Sequence, residues 1–250
     1  ILQGTYETLG SLARQKGFSV LGYDGDAERA ARLARGETVL RDRGVEEAFR
    51  GAPLAATTDA RRIAEADVVI VAVPTPVDDR TRPDLRPLRS AVETVARHAK
   101  SGVLLSIEST INPGVCEDVV VPLLKRLGRD PETGDILLVH CPERVNPGDE
   151  RWTVRNIPRV LGGLTDAAAA GGLAFYARLL DAPVKRMSSI RVAEAVKNIQ
   201  ETLEDIWQVR HLMWKRALAE MGEDGMDAPP SVQQALMLRG AAPGATCMAV

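Results

Sequence analysis

The sequence has no membrane-length apolar run, no excess of either charge and few cysteines, and each shortage removes a class of function. Its longest hydrophobic stretches are strand-sized, far below the roughly 20 residues a bilayer-spanning helix needs, and no charged-then-apolar leader opens it. With 32 basic and 34 acidic residues the net charge is -2, so no long-range field draws the chain to nucleic acid or to an anionic membrane. The three cysteines, Cys116, Cys141 and Cys247, lie far apart without CxxC or Cys/His ligand spacing. That pattern argues against a disulfide scaffold and a zinc site, and it fits a reducing cytoplasm. Lysine is scarce too, occurring only at positions 16, 100, 125, 185, 197 and 215, which makes Lys197 conspicuous. The chain opens on Ile1 rather than Met and reads as a fragment.

What is present is an alternation of short apolar runs with amphipathic segments. At 250 residues and 45% apolar content the chain can bury a real core. A helix ends near Lys16, and the run Phe18 to Asp24 reads as a buried strand with an acidic tip. Asp26 then caps a helix to Arg35. A short strand near Leu54 to Ala56 and a helix opened by Thr58 and Asp59 follow. The β-branched run Val68 to Val73 predicts a parallel strand covered on both faces. Leu85, Leu88, Val92 and Val95 mark a helix to about Lys100, Val103 to Glu108 a strand, Asn112-Pro113 a helix start, and Ile136 to His140 another strand. The expected architecture is α/β, a doubly wound parallel, Rossmann-like sheet whose ligands sit beyond the carboxyl ends of its strands. From Ser189 to about Met221 one long helix is expected, leading into a partial all-α middle domain. This divides the chain into residues 1–187 and 188–250.

Polar motifs follow the strands. Asp24 sits where dinucleotide-binding folds place an acid for the adenosine ribose, although such a residue also serves as a turn former or cap. Val73-Pro74-Thr75-Pro76 holds a hydroxyl between two prolines. In Glu108-Ser109-Thr110-Ile111-Asn112-Pro113-Gly114, Ser109 or Thr110 could contact a ligand or cap the next helix. The stretch from His140 to Gly163 is too polar and irregular to be explained by the fold alone. It packs Glu143, Asn146-Pro147-Gly148, Ile157-Pro158 and two closing glycines between strand-like runs, a composition typical of substrate loops.

Together these motifs resemble the UDP-glucose/GDP-mannose dehydrogenase family from about Gly17 to Glu204. The resemblance implies NAD as cofactor, with Asp24, Thr75, Thr110 and Glu143 facing it. It also implies a UDP-sugar as substrate, oxidised at its C6 primary alcohol to a carboxylate through a cysteine thioester. Glu143, Lys197 and Thr110 then serve the reacting carbon, Cys247 is the counterpart of the nucleophile, and Cys141 is a small buried residue. A homodimer through the long helix is implied as well, with a role in polysaccharide biosynthesis.

Three features depart from the family pattern. The glycine fingerprint that lets backbone N–H groups approach a pyrophosphate falls on Ile1, Gln3 and Tyr6. The strand expected before it is missing, which leaves two neighbouring strands without their shared partner and predicts poor NAD binding by this chain alone. Glu201 stands where the family has an Asn donor. Two alternatives follow from the residues: a non-catalytic dimerising remnant, and a β-hydroxyacid-type NAD-dependent dehydrogenase, which also pairs a Rossmann unit with a catalytic lysine.

Overall fold

The computed structural model describes residues 3–37, 55–77, 82–142, 153–199, 202 and 213. The chain divides into two compact units, residues 1–199 and 200–250. Only residues 202 and 213 of the second unit are described, both helical.

Helix α1 (Gln3–Gln15) opens the first unit and ends at Gly17, whose φ of +84° suits only glycine comfortably. Strand β1 (Leu21–Tyr23) is followed by α2 (Ala27–Ala34), capped as expected by Asp26, whose carboxylate accepts from the Glu28 and Arg29 amides. Strand β2 (Ala55–Thr57) leads to a 3-10 turn (Ala60–Glu65) capped by Asp59, then to β3 (Val68–Val71). Helix α3 (Arg86–His98) buries Leu88, Val92 and Val95, three of the four residues that marked it in the sequence. Strand β4 (Val103–Ile107) is wholly buried. A π-helical turn (Cys116–Val120) passes into α4 (Val121–Arg126), and β5 (Ile136–His140), β6 (Arg159–Gly163), α5 (Asp166–Leu179) and β7 (Val184–Arg186) complete the sheet. Residues 190–199 form α6.

Strands β3, β4 and β5 pair in parallel, so the residues after each lie at one edge of the sheet. Both faces of this sheet are covered. Val103, Leu105 and Ile107 join one core with α3 and α4 residues. Leu104 joins another with Leu9 and Leu12 of α1 and Tyr176 and Leu179 of α5. Each fully buried Leu or Ile contributes roughly 1.5–3 kcal/mol of transfer free energy, which explains why this sandwich dominates the unit.

One expectation needs correction. The sheet is not parallel throughout, because β6 runs antiparallel to β5, with Val139 opposite Gly163 and His140 opposite Gly162. Strand β3 packs against both cores, through Val69 and Val71 on one face and Val68 on the other, yet it is less buried than an internal strand, with Val68, Val69 and Ile70 only half-buried. The reason is the topology. Strands β1 and β2 form a parallel pair of their own, β3 to β7 form a separate five-stranded sheet, and β3 is the edge of the latter. Among the described residues no strand joins β1 to β3, the split expected when a dinucleotide fold lacks a strand at that place.

Candidate active site

Polar segments follow β1 of the two-stranded pair and β3 and β4 of the five-stranded sheet, and hydrogen bonds show which of them are joined. After β1, the Asp24 side chain is almost fully buried, and its Oδ1 accepts from the Asp26 amide at 2.9 Å and from Arg29 Nη2 at 3.1 Å. Arg29 is half-exposed. The bonds that shape the turn after β1 also fix the direction of the Asp24 carboxylate.

The segments after β3 and β4 are stitched to each other. The Ser109 hydroxyl donates to the Val73 carbonyl at 2.8 Å and accepts from the Val73 amide at 2.9 Å, continuing the ladder through a side chain. Thr75 Oγ1 donates to the Thr110 carbonyl at 2.7 Å. Ser109 and Thr110 are thus not caps of the following helix. Nor is Asn112, because no side chain of its own segment caps that helix. The acceptor comes instead from α6. Glu194, fully buried, accepts from the Gly114 amide through Oε2 at 2.5 Å and from the Cys116 amide through Oε1 at 2.8 Å. A carboxylate on the first amides of a helix is doubly favoured, by charge-assisted bonds and by the helix dipole. One turn on, Asn198 Nδ2 donates to the Ile111 carbonyl at 2.9 Å.

Lys197 lies half-buried between these two anchors in sequence. Its helix is therefore docked on the segment that carries Thr110. Both oxygens of Glu194 are committed to main-chain amides. Glu143, Glu201 and Cys247 lie outside the described residues.

Sequence reasoning missed a second buried group. Glu108 bonds the Tyr176 hydroxyl through Oε1 and Arg159 Nη1 at 3.2 Å through Oε2, and the Tyr176 hydroxyl also meets Ser106 Oγ at 2.8 Å. Glu108 and Arg159 side chains are both fully buried. Arg159 closes the loop that begins at Cys141, and Glu108 precedes Ser109, so the ion pair joins the two motif-bearing loops at their roots. The alternation of Ser106 and Glu108 on one face of an otherwise apolar strand was the available signal. Burial pushes the Cys141 thiol up to about 12, in keeping with a small buried residue rather than a nucleophile. Burial also pushes His140 down to about 4, and neither of its ring nitrogens has a hydrogen-bond partner.

The closing glycines of the long loop have a steric cause. A Cβ on Gly162 would stand 2.5 Å from the Ser189 carbonyl and 2.6 Å from Ile190 Cα, so only glycine lets the start of α6 lie on β6. Among the described residues no helix is long and apolar enough to cross a membrane, and no group of His, Cys, Asp or Glu could hold a metal ion.

Comparison with known proteins fits this geometry. The model of the UDP-glucose/GDP-mannose dehydrogenase family NAD binding domain matches residues 7–180. The UDP-N-acetyl-D-glucosamine 6-dehydrogenase of Pseudomonas aeruginosa is 34% identical over 188 residues, which is 75% of this chain and 44% of that protein. The UDP-N-acetyl-D-mannosamine dehydrogenase of Methanococcus maripaludis is 30% identical over 201 residues, 78% of this chain and 45% of that protein. The solved UDP-D-ManNAc dehydrogenase of Pyrococcus horikoshii superposes with a TM-score of 0.78 at 26% identity, covering 97% of this chain and 56% of that one. The chain thus spans less than half the length of these two curated relatives.

The matched domain is one that binds NAD, and the buried acid at the tip of β1 with the hydroxyl-bearing loops after β3 and β4 fits the ribose and nicotinamide ends of that cofactor. The match begins at Glu7, past Ile1, Gln3 and Tyr6, where the pyrophosphate glycines would stand. Helix α1 nevertheless starts at Gln3, where the fingerprint would open a helix.

Proposed function

Because the chain belongs to the UDP-glucose/GDP-mannose dehydrogenase family, we propose that it serves the NAD-dependent oxidation of a UDP-sugar at its C6 primary alcohol to the carboxylate. The observation that supports this reading most directly is the joining of the Thr75, Thr110 and α6 segments through the Thr110 and Ile111 carbonyls. UDP-N-acetylhexosamines are the first substrates to test, since the relatives above carry such sugars in their names.

Two NAD molecules in turn supply the hydride acceptor, one for the alcohol as it becomes the aldehyde and a second for the cysteine thiohemiacetal as it becomes the thioester. In this reading Asp24 accepts from the adenosine ribose, and Thr75 and Thr110 line the path to the nicotinamide. The Lys197 ammonium donates to the sugar oxygen as negative charge develops on it. Cys247 serves as thiolate, its sulfur bonding to the aldehyde carbon while the carbonyl electrons pass to the oxygen held by Lys197. At the thioester stage a water oxygen replaces sulfur on that carbon, the thiolate leaves, and Glu143 takes the proton of the water. The long helix that α6 begins pairs two copies of the protein.

The test is NADH formation with a panel of UDP- and GDP-hexoses, coupled to detection of the sugar acid. Absence of both with every sugar overturns the proposal. A second reading, a non-catalytic dimerising remnant, is favoured by Glu201 in the place of an amide donor and by the side chains at the three glycine positions. Gel filtration with NAD titration separates the two, because a stable dimer blind to NAD supports the remnant.

A further inference from the structure

We propose that Glu194 and Asn198 are positioning residues that fix Lys197 relative to the loop carrying Thr110. They lie four residues apart, on one face of α6, and grip the loop at two points. Asn198 Nδ2 holds the Ile111 carbonyl at 2.9 Å, and Glu194 holds the Gly114 and Cys116 amides at 2.5 and 2.8 Å. Asn198 Nδ2 also donates to the Glu194 carbonyl at 2.9 Å, tying the two anchors together.

The gripped loop turns at Gly114 in a backbone conformation that residues with a side chain rarely adopt. Gly114 has a φ of +98°, and a Cβ there would lie 2.6 Å from Asp118 Oδ2. Arg191, one turn before Glu194, adds an outer set of bonds, to Glu117 Oε2 at 2.6 Å and to Asp118 at 3.2 Å.

Packing alone does not explain the choice of residues. Burying a carboxylate is costly unless its oxygens are fully used, whereas an apolar side chain would seat a helix on a loop without that penalty. What the charged anchor adds is direction. Amides at fixed places leave α6 little freedom to slide or rotate, so an amine borne between the two anchors keeps its distance to Thr110. The inference rests on the roles given above to Lys197 and Thr110.

The experiment compares the chain with its Glu194→Ala, Glu194→Gln and Asn198→Ala variants after 13C reductive methylation of its lysines, with the Lys197 signal assigned from Lys197→Arg. This readout needs neither sugar nor NAD, so failure of the dehydrogenase reading does not affect it. We expect the Lys197 resonance to move in all three variants while those of Lys100 and Lys125 stay in place. With an oxidisable sugar we also expect turnover to fall on the order of 10²-fold at unchanged KM for NAD, the scale of a small misplacement of a reacting group. A merely structural role would lower the amount of folded protein and leave the Lys197 signal and turnover of the folded fraction unaltered, which would overturn the proposal. If Glu194→Ala does not fold, Asn198→Ala decides, because it removes a half-buried amide and leaves the carboxylate clamp intact.

Discussion

At the scale of single residues, the unusual groups are the buried polar ones, and each carries a measurable consequence. His140 is neutral in the fold, its pKa pushed down to about 4 by burial, against an unfolded value near ~6.5. Between those values the unfolded chain binds the extra proton. Its contribution is therefore intact above about pH 6.5 and is lost as pH falls toward 4. Over that window the loss is on the order of 3 kcal/mol. Chemical denaturation at a series of pH values should show a shallower acid decline for His140→Leu than for the parent. Arg159 gives a second test. Replacing it by Met removes the cation paired with the buried Glu108 carboxylate, at a cost of about 3–5 kcal/mol. Adding Glu108→Gln should recover a large part of that loss, and a double-mutant cycle in urea measures how much. Equal, additive losses would mean the pair is not coupled.

At the scale of elements, what could be read from the sequence was local, and what could not was a partner distant in the chain. Asp26 as the cap of α2, the stripe on α3 and the bounds of β5 follow from spacing within a dozen residues, and the structure keeps them. The cap of the helix after Gly114 is different, because its acceptor is Glu194, about eighty residues away, and no local pattern announces it. The same holds for the site: Thr75 and Thr110 were recognisable as strand-end hydroxyls, but their link through the Thr110 carbonyl depends on β3 and β4 being neighbours. The closing glycines were visible while their purpose was not, since Ser189 and Ile190 come from another element. Gly162→Ala tests this purpose. The added methyl must displace the first turn of α6, with a cost of about 1–3 kcal/mol as for other overpacked sites. Hydrogen exchange should show faster exchange in residues 190–199 of the variant than in α3.

At the scale of the first unit, stability is unevenly shared because the sheet is divided. The five-stranded sheet is sandwiched between two cores, whereas among the described residues the β1–β2 pair rests on a small cluster centred on Leu33, with Val20 and Ala56 against it, and on Tyr23, which reaches the larger core. A two-stranded pair with so small an apolar face is marginal by itself, and local opening free energies track the burial that an element loses. Native-state hydrogen exchange should therefore find the amides of β1 and β2 opening at lower free energy than those of β4 and β5, by a margin that grows as denaturant is removed. The same division bears on the cofactor, because Asp24 rides on β1 while Thr75 and Thr110 ride on the larger sheet. A ligand reaching from Asp24 to Thr110 would bridge the two sheets and bind only their assembled arrangement. Saturating NAD should then raise the opening free energy of β1 and β2 by RT ln(1 + [L]/Kd) and that of β4 and β5 by less. Equal protection of both, or protection confined to β4 and β5, would mean that the ribose end of the dinucleotide is not held by Asp24.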